Sequence, residues 1–220
     1  MRHWALLVNA GYRETLYDQL RELTMVRTQT RPGEHTQFHR FQTDDGLEIR
    51  VRQEQPEDGH ILVDLFQNLG PTSRYNRFAK VLDAPDSARV AQEAERLARL
   101  EPPHDVAWLA FADLPDRVNT PVAAARYMRR SPEVAELAVV VRDDLQNRGV
   151  GSQLLNYVLQ QAKADGVCDI VATFHGNNRA VWRLLSYSPF HVTWQMKGPQ
   201  VDVVIHLQPK SSVGSTSSLS

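Results

Sequence analysis

Residues 135–155 read AELAVVVRDDLQNRGVGSQLL, and this run leaves few options for the local fold. Leu137 to Val141 is apolar and rich in β-branched residues, as a short buried strand is. Val150, Leu154, Leu155, Val158, Leu159 and Ala162 recur at helical spacing, and Gly166 is placed to end that helix. Between strand and helix lies Gln146-Asn147-Arg148-Gly149-Val150-Gly151, followed by Ser152. A strand that turns straight into a helix leaves backbone N–H groups unpaired at the helix start, beside the positive end of the helix dipole. Glycines let a bulky anion approach that backbone, and Arg148 adds a positive charge. This is the chemistry of a pyrophosphate cradle, although a plain strand–turn–helix accepts glycine in the same places.

The common phosphate loops do not fit. No Gly-Lys-Ser/Thr follows the turn, and Leu154 stands where a dinucleotide fingerprint needs its third glycine. The spacing resembles instead the Gln/Arg-x-x-Gly-x-Gly/Ala motif of the GNAT family of N-acetyltransferases, met by Gln146, Gly149 and Gly151. Glu136 lies ten residues before Gln146, where the histone and bacterial protein-lysine acetyltransferases of that family carry their general base. Asn178-Arg179-Ala180 resembles the family's Asn-x-x-Ala segment in shortened form, whose Asn contacts the cofactor. The run Ser73-Arg74-Tyr75-Asn76-Arg77-Phe78 resembles one found in the bacterial protein-lysine branch, so Arg74 and Arg77 face either a substrate groove or solvent.

The resemblance spans roughly residues 47–208. It implies the mixed α/β (α+β) acyl-CoA N-acyltransferase fold, a central mixed sheet of about seven strands flanked by helices. It implies acetyl-CoA as cosubstrate, held by Gln146, Asn147, Arg148, Gly149, Val150, Gly151, Ser152 and Asn178, and by the backbone of Val139, Val140 and Val141. In the family the strand bearing those valines is bulged and splays from its neighbour, freeing backbone for the pantetheine arm. A bulge would also lift the rule of strict alternation that sets Glu136 opposite Leu137, Val139 and Val141. One departure stands out. Many members use a Tyr as general acid seven residues after the Asn, and here that position is Leu185, with Tyr187 two residues on. The glycine usual before the next strand is Pro189.

Elsewhere the pattern alternates strands with helices. Leu47–Arg52 reads as a strand, Pro56 as a first helical residue before the stripe Ile61, Leu62, Leu65, Phe66 and Leu69, and residues 73–82 and 88–100 as two more helices. Val106–Ala112 is a buried strand and Thr120–Met128 its hairpin partner. Ile170–Phe174, a helix over 177–187, and strands at 192–196 and 201–207 complete the series. Residues 1–46 form an extension of unknown role with a helix over 12–23, and the Ser-rich residues 209–220 form a tail expected to be disordered.

Composition closes off other classes. A net charge of −1 makes no electrostatic case for nucleic acid. The one cysteine, Cys168, excludes a disulfide framework and is expected in the core. The eight histidines show no metal-ligand spacing, so no metal is expected; His175, after the Phe174 strand, reads as a loop residue of no special role or as one lining the splay. No apolar run approaches the ~20 residues of a membrane span, and Trp4–Val8 is short of a signal core, so a cytoplasmic protein is expected. A homodimer is left open.

Acyl transfer to an amine needs the thioester held, the amine deprotonated and the oxyanion stabilised. A lysine, with a pKa of ~10.4, arrives protonated. Glu136, set among Ala135, Leu137 and Ala138, is expected to be desolvated and so a better base. The reading is an N-acetyltransferase with Glu136 as base and a protein lysine as acceptor. A small amine as acceptor, or a non-catalytic acetyl-CoA sensor, are the alternatives.

Overall fold

The computed structural model describes residues 38–78 and 87–208. The helix expected over 12–23, the end of the one expected over 73–82, and the Ser-rich tail lie outside them. Strands β1 (His39–Gln42), β2 (Glu48–Gln53), β3 (Asp105–Leu114), β4 (Arg117–Arg129), β5 (Val134–Val141), β6 (Asp169–His175), β7 (His191–Lys197) and β8 (Gln200–His206) form one sheet. Their order is β1-β2-β3-β4-β5-β6-β8-β7. The helices are α1 (Gly59–Gln67), entered through a 3-10 turn at Pro56–Asp58, α2 (Pro71–Phe78), α3 (Ser87–Ala98), α4 (Val150–Ala164) and α5 (Arg179–Ser186). The sheet thus has one strand more than expected. β1, in a polar stretch with no apolar alternation, is recruited by antiparallel pairing to β2 from His39↔Val51 to Gln42↔Glu48.

Helices cover both faces of the middle of the sheet, which is why β3 is buried from Asp105 to Ala112. Val106, Trp108, Ala110 and Ala112 join one core with Val150, Leu154, Leu155, Val158, Leu159 and Ala162 of α4. Fully burying a Val or Leu side chain stabilises by about 1.5–3 kcal/mol, so this stripe is what fixes α4 to the sheet. The expected stop also holds: Asp165 ends the helix and Gly166 follows at φ 85. On the opposite face, by alternation, Ala107, Leu109 and Phe111 lie with Arg126, whose guanidinium donates to the Leu97 carbonyl of α3 at 2.6 Å.

Among the described residues the one parallel junction is β5–β6, and it is short. Only Val134, Ala135 and Glu136 pair, with Asp169, Ile170 and Val171, although the strands run on to Val141 and His175. Past Glu136 the two strands part. The expected bulge in β5 is not what parts them, because its register with β4 is unbroken from Ala135↔Arg129 to Val141↔Ala123. Two register shifts lie instead between β3 and β4, one beside Val122 and one between Ala112 and Leu114. A parallel neighbour brought in by a crossover helix is free to diverge, whereas a hairpin partner is held by its turn. Strict alternation therefore applies, and Glu136 faces away from the α4 core that takes Leu137.

Candidate active site

Glu136 occupies the last paired position before β5 and β6 separate. It is 6% exposed. Arg130, in the β4–β5 loop, donates Nε to Glu136 Oε2 at 3.0 Å and Nη2 to the same oxygen. Desolvation, the effect expected from the apolar neighbours in sequence, is thus opposed by a guanidinium that the local pattern did not reveal. An adjacent cation favours the ionised carboxylate, the form that accepts a proton. Met128 and Val171 flank Glu136 across the strands.

Val139, Val140 and Val141 follow on the part of β5 with no ladder to β6, and all are half-buried. Their edge leads into the turn before α4. There Gln146 is anchored twice, Nε2 donating to the Val141 carbonyl at 3.1 Å and to Ser73 Oγ of α2 at 3.0 Å. Ser73 is a partner that sequence spacing alone had not singled out. Asn147 (φ 60) and Gly149 (φ 86) both adopt left-handed backbone, which turns successive N–H groups toward one side. No acceptor among the described residues takes the backbone N–H groups of 147–152. Such an array at a helix start fits an anionic diphosphate.

Two of the expected cofactor residues serve the fold as well. A Cβ on Gly151 would lie 3.0 Å from Leu184 Cδ2 and 3.4 Å from Val141 Cγ2, so this glycine is demanded by the packing of α5 on α4. Asn178 caps α5, its Oδ1 accepting from the Val181 N–H at 3.3 Å. Val150 has its side chain in the core, Ser152 Oγ donates to the Gly149 carbonyl, and Arg148 reaches Asp45 in the β1–β2 turn. Leu185 packs on the core while Tyr187 is exposed beyond the helix end. His175 is the last residue of β6 and not a loop residue, and Cys168 is half-buried rather than core. Arg74 lies over the Phe66 ring at 5.0 Å and donates to the Gln67 carbonyl. The side chain of Arg77 is outside the described residues. Among the described residues no group of three His, Cys, Asp or Glu is arranged to hold a metal, and no helix is long and apolar enough to cross a membrane.

Among the described residues, a mixed sheet that opens at its parallel junction, beside the start of a glycine-turned helix, is the architecture of the GNAT acyltransferase fold. Residues 74–186 match the Acetyltransferase (GNAT) family model, and the chain belongs to that family. That family is one of acetyltransferases. The GNAT domain of S. lividans PAT superposes with a TM-score of 0.65 at 21% identity, over 77% of this chain and 96% of that one. The cAMP-binding acyltransferase from Mycobacterium smegmatis gives 0.52 at 20% identity, over 79% and 48% respectively. Both are likenesses of fold. In sequence, the tRNA(Met) cytidine acetyltransferase TmcA of Aeropyrum pernix is 30% identical over a stretch taking in 44% of this chain. This chain spans only 16% of that relative's length.

Proposed function

We propose that the protein transfers acetyl from acetyl-CoA to a protein lysine, with Glu136 as general base. The observation that carries this is the position of Glu136: a buried, cation-paired carboxylate at the point where β5 and β6 part. Bound acetyl-CoA supplies the acyl group as a thioester. Residues 146–152 hold its diphosphate through backbone N–H groups, and the β5 edge at Val139–Val141 aligns its arm. Glu136 takes a proton from the arriving ammonium, directly or through one water. The free amine then forms the C–N bond as the C–S bond breaks. A thiol, with a pKa of ~8.5, leaves without a dedicated acid, which suits the Leu at position 185.

The lysine reading draws on the resemblance of Glu136 and the 73–78 run to the bacterial protein-lysine branch. Thiol release from acetyl-CoA, measured with lysine-containing proteins and with a panel of small amines, tests it. Release with proteins and not with small amines is expected. Release with small amines alone would replace the acceptor, and no release with either would leave a binding module.

A further inference from the structure

Two guanidiniums reach the 146–151 turn, one from each side. Arg148 belongs to the turn itself and is the cation that the sequence singles out. Its side chain is committed: Nε donates to Asp45 Oδ1 at 3.2 Å and Nη2 to Oδ2. The Arg148 guanidinium in turn holds the Asp45 carboxyl below the usual carboxylate range. A second carboxylate stands close by, since a Cβ on Gly149 would lie 3.2 Å from Asp44 Oδ1, and the Asp44 N–H donates to the Arg148 carbonyl. With two carboxylates against one guanidinium, the β1–β2 side of the turn is net negative.

Arg183 approaches from α5. Its Nη1 donates to Asn147 Oδ1 at 2.6 Å, a neutral amide, and it has no carboxylate partner among the described residues. The tether is specific to this geometry, because Asn147 is the non-glycine residue of the turn that tolerates φ 60. A guanidinium offers five donors in a planar fork that matches phosphate oxygens, and this one spends a single donor on the amide.

Building on the cofactor site above, we propose that Arg183, and not Arg148, is the cation that contacts the phosphates of acetyl-CoA. The Asp44–Asp45 turn neutralises Arg148 and biases the phosphates toward α5. Arg183 is exposed, so R183Q removes the charge without disturbing a core.

The test is calorimetric titration of acetyl-CoA into the parent, R183Q, R148Q and D45N at low and high salt. R183Q is expected to weaken binding about tenfold, or roughly 1.4 kcal/mol. It should also flatten the dependence on salt, because one charge pair is gone. D45N is expected to tighten binding a few-fold, since it removes a carboxylate and frees Arg148. Parent affinity in R183Q together with a large loss in R148Q would overturn the assignment. Gly149→Val tests the cradle itself: if it and R183Q both keep parent affinity, the turn is not the cradle at all. Repeating the series with acetyl-dephospho-CoA names the phosphate. A persisting R183Q effect assigns Arg183 to the diphosphate, and a vanished one to the 3′-phosphate.

Discussion

Glu54 and Glu136 are equally buried carboxylates on the same face of one sheet, and their charged neighbours differ. Glu54 is 5% exposed and Glu136 6%. Glu54 follows β2, donating its N–H to the Ala107 carbonyl, and lies under the helical layer. Its Oε1 has no hydrogen-bond partner among the described residues. Burial pushes its carboxyl up to about 7, with Asp58 and Asp105 adding to the rise and Arg126 and Arg52 resisting it. Those arginines are spent elsewhere: Arg52 pairs with Asp58 at 2.5 Å, and Arg126 donates to the Leu97 carbonyl. Glu136 has its own guanidinium, from Arg130. Burial alone therefore does not tell the two apart. A paired arginine and an opening in the sheet beside Glu136 do.

The largest expected effect sharpens this difference directly. Glu136→Gln keeps the shape but cannot accept a proton, so turnover should fall by ~10²–10⁴. Acetyl-CoA affinity should stay within about twofold. Glu54→Gln should leave turnover near the parent value. Steady-state rates for both variants, with acetyl-CoA titrations, check the pair; equal losses in the two would break the comparison. If Glu136→Gln keeps parent turnover at neutral pH, Glu136 is not the base.

A second expectation concerns stability. The Glu54 carboxyl is raised from its ordinary 4.5 to about 7 in the folded protein, so the fold binds a proton that the unfolded chain has released. That contribution is fully present below about pH 4.5 and is lost as pH rises through about 7. Between pH 5 and pH 8 the parent should lose about 2–3 kcal/mol of stability from this group. Glu54→Gln should lose none of it, and so should gain on the parent at pH 8 but not at pH 5. Denaturant unfolding at the two pH values measures this, and a pH-independent difference would show Glu54 to be compensated.

The smallest effect belongs to Arg130, which is half-exposed and so partly screened by solvent. Arg130→Gln should shift the acid limb of the pH–rate profile upward by a fraction of a unit to about one unit, because ionised Glu136 loses its partner. An unmoved limb with an unchanged rate would make the ion pair structural only.

Much of the architecture was legible along the chain because it rests on local rules. The α4 stripe, the buried β3 segment and the Gly166 stop each follow from periodicity or turn chemistry within a few residues. β1 was not legible: His39–Gln42 has no apolar alternation and becomes a strand through its pairing with β2. The site divides in the same way. The Gln146–Gly151 turn and Glu136 stand out by spacing, but their partners do not. Arg130, Ser73, Asp45 and Arg183 meet them only through the folded chain.

Sequence by itself determined which residues form the strand–turn–helix, that its turn is glycine-rich, and that one carboxylate precedes it at the family's spacing. Those are properties of neighbours in the chain, set by backbone sterics and side-chain period. Only the tertiary structure decided that β5 parts from β6 after Glu136, because divergence of a parallel pair depends on what packs on each strand. Tertiary structure alone also decided the charges. Arg148 is neutralised by a residue 103 positions away, and Glu54 is pushed up by burial beneath helices that follow it. Electrostatic energy depends on distance and dielectric in space, and neither is written in the order of residues.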